Sequence, residues 1–212
     1  MKALARFYPI VDSAAWVRRL VPVGVRLIQL RIKQRSVEDV RREIRDALAT
    51  CARHGAQLVV NDHWEAALAE GADFIHLGQQ DLDTADLGAI RARATRLGIS
   101  THDHAELDRA LSLAPDYIAL GPIYPTTLKV MPWAPQGVDR IGEWKRRIGS
   151  RPLVAIGGIT LAHAARCRAA GADTVAVVSD VVSHPDPVAR AAAWIDGMDD
   201  PRAPIVAAEP PA

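Results

Sequence analysis

The chain is 212 residues long, with 49% hydrophobic and 24% charged residues and a formal net charge of +1. That length fits one domain, and so small a net charge provides no global field to draw in nucleic acid or an anionic membrane. An anionic ligand must therefore be held by a local cluster. No stretch approaches the roughly 20 apolar residues of a membrane span, and "MKALARFYPIVDSAAW" lacks the apolar run of a secretion signal, so a cytoplasmic protein is expected. Cys51 and Cys167 are too few and too far apart for a disulfide framework or a metal clip, and buried thiols are expected.

Short apolar runs alternate with amphipathic stretches. The first strand is expected at 6–11 and the second at 25–32. In "LIQLRIK", Leu27, Ile28, Leu30 and Ile32 read as the apolar wall of that strand. Gln29, Arg31 and Lys33 fall at every second position and share one face. Two inward cations would cost several kcal/mol each without an anion to meet them, and the other reading turns this face to solvent or a helix.

A helix is expected at 37–53 and a third strand at 56–60, ending in Asn61 and Asp62. The fourth strand, 72–77, is followed by "HLGQQD" and Asp81. Asn61, Asp62 and Asp81 could be helix caps, Asp81 for a helix at 84–96. Together they also place two carboxylates at adjacent strand ends beside the cationic strand. Such hard oxygen ligands suit Mg²⁺, completed by water and substrate phosphate.

The fifth strand, 98–101, brings Ser100, with "HDH" at 102–104 read as a helix start. His63 and His76 are read as ordinary surface or core residues. After the sixth strand, 116–120, comes the long irregular segment 121–137, placed to close over a bound substrate. The seventh strand, 152–156, runs into Gly157 and Gly158, and a helix at 160–170 offers its positive end. The eighth, 173–178, ends in Val178 and Ser179.

Eight βα units predict a (β/α)₈ barrel, with an open doubly wound sheet as the alternative. The barrel is expected to occupy 1–196, followed by a disordered tail rich in Pro and Ala at 197–212. In such barrels the site lies at the C-terminal strand ends, and the loops after strands 7 and 8 commonly hold phosphate.

In order, spacing and barrel position, "QLRIK", "NDHW", "HLGQQD", "GISTH", "GPIYPTTLK", "MPWAPQG", "AIGGIT" and "VVS" resemble the thiamine-phosphate synthase family, from about residue 7 to 196. The resemblance implies a transferase of thiamine biosynthesis. It would join 4-amino-2-methyl-5-(diphosphooxymethyl)pyrimidine to 4-methyl-5-(2-phosphooxyethyl)thiazole and release diphosphate. Carried over by position, Gln29, Arg31, Lys33, Asn61, Ser100 and Lys129 would hold the pyrimidine diphosphate. Arg31, Lys33, Ser100 and Lys129 would act in catalysis, and Asp62 and Asp81 would bind Mg²⁺. Thr126, Gly158, Val178 and Ser179 would contact the thiazole phosphate.

One departure stands out. The family's Pro-Thr-x-Thr-Lys is here Pro125-Thr126-Thr127-Leu128-Lys129, so Thr127 or the Leu128 backbone N–H would have to replace a lost hydroxyl. Two rival readings are a thiazole tautomerase-like relative and a non-catalytic barrel that binds a phosphorylated ligand. Such tautomerases tend to lose the metal carboxylates and carry His just after strand 6, where this chain has Pro122. A homodimer through the outer helices is a further expectation, with Trp144 and Trp194 marking the face or else packing within the helical layer.

Overall fold

A computed structural model describes residues 4–126 and 133–199. The elements, in chain order, are β1 (Phe7–Val11), α1 (Ala14–Leu20), β2 (Leu27–Leu30), α2 (Val37–His54), β3 (Gln57–Asn61), α3 (Trp64–Ala69), β4 (Phe74–Leu77), α4 (Leu87–Ala92), β5 (Arg96–Thr101), α5 (His104–Ser112), β6 (Tyr117–Leu120), α6 (Gly137–Ile148), β7 (Leu153–Ile156), α7 (Leu161–Ala169), β8 (Thr174–Val177), α8 (Ser179–Val182) and α9 (Pro187–Asp199). The strands close in order into a parallel barrel, with β8 paired to β1. The doubly wound alternative is thereby excluded.

Local chemistry sets the helix ends. α2 begins where the Ser36 hydroxyl accepts from the Asp39 N–H at 3.1 Å, carries Glu38 and Asp39 in its first turn, and stops at left-handed Gly55. The helix expected at 84–96 is shorter. Asp86 caps α4 by accepting from the Ala89 N–H at 2.9 Å, and the chain turns at Ala94, whose φ is 53°. β5 consequently starts at Arg96, earlier than expected. α9 runs through Asp199, three residues past the expected barrel boundary, and the rest of the expected tail lies outside the described residues.

Two apolar layers follow from strand alternation. Ile28 and Leu30 of β2 pack outward against the helices, while Leu27 joins Tyr8, Ile10, Val59, Phe74 and Tyr117 inside the barrel. Leu27 therefore shares the inward face with Gln29, contrary to its assignment to the wall. Its two-residue offset from Gln29 requires this. Trp144 and Trp194 are fully buried, so they belong to the helical layer and mark no dimer face. Trp194 stacks on Phe7 at 5.3 Å between ring centroids.

Candidate active site

A cavity of about 240 Å³ opens at the C-terminal strand ends. Gln29, Arg31, Asn61 and Ser100 line one part of it. Thr126, Gly158, Val178 and Ser179 line it as well. One space thus collects eight of the residues singled out in the sequence.

Its floor is a chain of polar groups. Gln29 Nε2 donates to the Tyr8 hydroxyl at 2.9 Å, and the Tyr8 and Tyr117 hydroxyls lie 3.1 Å apart. The Tyr117 hydroxyl is 2.7 Å from His76 Nδ1, and His76 Nε2 is 2.8 Å from Ser100 Oγ. Strand register explains how side chains of β4 and β6 can meet. His76 pairs with Gly98, and Gly98 pairs with Tyr117. A Cβ on Gly98 would stand 2.1 Å from Tyr117 Cζ, so only glycine admits the Tyr117 ring there. The His76 and Tyr117 rings then stack at 5.5 Å. Burial pushes the His76 imidazole down to about 3, with the Arg31 charge adding to the effect, so His76 is neutral at physiological pH. Burial raises the Tyr8 and Tyr117 phenols, so both keep their protons.

The rim beside Arg31, where Asp62 and Asp81 lie next to the cavity but outside its lining residues, behaves in the opposite way. Asp62 leaves β3 with φ 61°, a left-handed conformation uncommon outside glycine, while its N–H donates to the His76 carbonyl at 3.0 Å. Burial raises its carboxyl to about 6, and the Asp81 charge and a hydrogen bond with Asp81 push the same way against Arg31 and His63. The side chains of Asp62 and Asp81, from successive strand ends, are therefore close neighbours. The cap readings fail for Asn61 and Asp62, since α3 starts after His63 with no side-chain cap. Asp81 does serve its own loop, accepting from the Gly78 N–H at 3.1 Å.

The inward reading of the "QLRIK" face holds only in part. Gln29 is buried and Arg31 half-buried, but β2 ends at Leu30 and Lys33 is exposed, away from the cavity lining. The alternation projected for Lys33 needs a strand that continues, and the chain has left the ladder by then. Thr127, Leu128 and Lys129 lie outside the described residues.

Opposite the rim, Gly157 and Gly158 pack under the segment after β6. A Cβ on Gly158 would stand 2.3 Å from the Pro125 carbonyl, and its φ of 64° suits glycine. The helix end at this part of the cavity is that of α8, which follows Val178 without a side-chain cap. The chain leading into α7, Gly157 to Ile159, also lines the cavity, and a capping box between Thr160 and His163 marks the start of that helix. A short extra helix after strand 8 is the usual phosphate-binding element of these barrels. Asp180 fixes α8 by accepting from Arg190 at 3.0 and 2.9 Å and from Trp194 Nε1 at 2.6 Å.

The family model described as thiamine monophosphate synthase matches residues 7–181. The chain belongs to this family. Thiamine-phosphate synthase of Rhizobium etli is 58% identical over 189 residues, covering 89% of this chain and 93% of that one. The Neisseria meningitidis enzyme of the same name is 48% identical, with 89% and 92% covered. Among solved structures, thiamine phosphate pyrophosphorylase from Pyrococcus furiosus superposes with a TM-score of 0.80 at 25% identity, covering 91% and 95%.

Within this family framework, sequence reading missed Tyr8, His76 and Tyr117 as parts of the site. The signal was present in "FIHL", where His76 shares the parity of inward Phe74, and in a lone glycine inside β5. His102 was read only as part of a helix start. Asp103 does cap α5, accepting from Glu106 at 2.8 Å, but His102 also lines the cavity and stacks on Trp133 at 4.0 Å. Cys51 and Cys167 are buried with thiols raised to about 11, so both are inert. Among the described residues no helix is long and apolar enough to cross a membrane.

Proposed function

We propose that this chain condenses 4-amino-2-methyl-5-(diphosphooxymethyl)pyrimidine with 4-methyl-5-(2-phosphooxyethyl)thiazole, giving thiamine phosphate and diphosphate. The observation that carries this reading is the single cavity in which Gln29, Arg31, Asn61 and Ser100 meet Gly158, Val178 and Ser179. Both sets of residues open on one space, and holding two phosphorylated substrates side by side there would convert their encounter into an effectively unimolecular step.

Gln29 and Ser100 hold the pyrimidine. Arg31 and Asn61 face its diphosphate, and Lys33 and Lys129, carried over by position in the sequence, would add positive charge to it. Thr126, Thr127 and the Leu128 backbone join Gly158, Val178 and Ser179 around the thiazole phosphate. Asp62 and Asp81 suit Mg²⁺, because a raised carboxyl paired with a second one is relieved by a divalent cation. Among the described residues no group of three metal-ligating side chains exists, so two carboxylates would be completed by substrate oxygens and water. Bound there, Mg²⁺ would neutralise charge on the departing diphosphate.

Diphosphate leaves first, Arg31 stabilising it, and the thiazole nitrogen captures the pyrimidine methyl cation. A floor with neutral His76 and protonated tyrosines opposes no cation and supplies no base, and a neutral thiazole nitrogen requires none. Incubating the protein with both substrates tests the reading. Thiamine phosphate and diphosphate should appear together in equal amounts with Mg²⁺, and absence of both at every Mg²⁺ concentration would refute it.

A further inference from the structure

The floor chain has only two head-to-tail proton arrangements. In the first, Gln29 Nε2–H donates to Tyr8, Tyr8 to Tyr117, and Tyr117 to His76 Nδ1, while His76 Nε2–H donates to Ser100 Oγ. The Gln29 carbonyl oxygen is then left to accept from a ligand, and the Ser100 hydroxyl proton is left to donate. In the second, every proton reverses and the Gln29 amide is flipped, so that Gln29 offers a donor and Ser100 an acceptor. Each phenol has one proton and the imidazole one, so a change at any member propagates along the row.

We infer that Tyr8, Tyr117 and His76 are positioning residues that lock the cavity in the first arrangement and thereby select a 4-aminopyrimidine over its 4-oxo counterpart. The inference rests on the proposed pyrimidine substrate. An exocyclic amine donates and its neighbouring ring nitrogen accepts, which matches a Gln29 carbonyl and a Ser100 hydroxyl. The 4-oxo ring presents an acceptor and a ring N–H, which matches only the reversed row. Three features hold the row in place. His76, Tyr8 and Tyr117 are nine-tenths or more buried, the His76 and Tyr117 rings stack, and Gly98 leaves the gap they fill. These features fix the heavy atoms, and the direction is set by the Gln29 amide, whose Nε2 faces Tyr8, so reversal requires that amide to flip and every proton in the row to move. A site whose buried polar groups are left mismatched rejects a ligand far more strongly than one that merely lacks a contact.

Two measurements on the full chain test this, the first of them without turnover. Nitrogen-15 spectra of the free wild-type protein should show His76 as the neutral Nε2–H tautomer, and the Nδ1–H tautomer would overturn the assignment. Competitive inhibition by 4-amino-5-(hydroxymethyl)-2-methylpyrimidine and by its 4-oxo analogue then gives a selectivity ratio. Tyr117→Phe should lower that ratio at least about tenfold, with the KM for the thiazole phosphate unchanged. A ratio unchanged in Tyr117→Phe and in Tyr8→Phe, while wild-type turnover of the two substrates is normal, would refute the inference and leave the proposed reaction standing. Loss of wild-type turnover itself would instead refute that reaction.

Discussion

The floor of the cavity is built from buried polar groups and the rim beside it from half-buried ones, and they stand in opposite states. On the floor, Gln29, Tyr8, Tyr117, His76 and Ser100 satisfy one another and carry no charge. At the rim, burial and the Asp81 charge raise the Asp62 carboxyl, and Asp62 sits in a left-handed conformation. The floor is satisfied within itself, whereas at the rim Arg31 and His63 only partly offset burial and the Asp81 charge on Asp62. A completed polar network positions a ligand, and an uncompensated one recruits a cation.

The largest effect should come from removing charge at the rim. Asp81→Ala or Arg31→Ala should each lower kcat/KM at least about a hundredfold, as the proposed roles of both on the leaving diphosphate require. Steady-state kinetics with Mg²⁺ checks this, and near-normal rates would mean that the rim is not the diphosphate site. Gly98→Ala attacks the floor instead. The new methyl would overlap the Tyr117 ring, and overpacking of this kind costs about 1–3 kcal/mol, visible as a lowered Tm. An unchanged Tm would show that the floor yields easily.

The two regions also titrate with opposite signs. The folded-state imidazole of His76 is held at about 3 against an ordinary 6.5, so the unfolded chain takes up its proton first and stability rises with pH across that window. Asp62 is raised from 3.8 to about 6, so the folded state keeps that proton longer and stability falls with rising pH across that window. Between about pH 4 and 6 the two slopes oppose. Asp62→Asn should uncover the His76 slope, adding up to about 1.4 kcal/mol of stability per pH unit relative to wild type over that range. Denaturant melts at stepped pH measure it, and parallel profiles would contradict the assignment. The smallest effect is expected at Leu128→Thr, which should lower the KM for the thiazole phosphate a few-fold, about 1 kcal/mol or less, and leave that for the pyrimidine unchanged.

The barrel was legible because strand and helix periods repeat eight times and glycines punctuate the helix ends. The rim was legible because Arg31, Asp62 and Asp81 are charged residues at strand ends, where a barrel has its site. The floor was not, because Tyr8, His76 and Tyr117 come from three strands that only closure brings together, across a glycine whose role depends on its neighbour in register. Lys33 shows the opposite error: its alternation was read past the point where β2 leaves the ladder. Trp144 was open to two readings in sequence, and its indole N–H bond to Thr101 at 2.9 Å within the helical layer settles it.

The central claim, that the strained rim pair is the Mg²⁺ site, is tested most directly by diphosphate release during a Mg²⁺ titration of wild type and Asp62→Asn. The midpoint for Asp62→Asn should lie at least about tenfold higher in Mg²⁺, as loss of one of two carboxylate ligands requires. Coincident midpoints would contradict the claim and place the metal elsewhere.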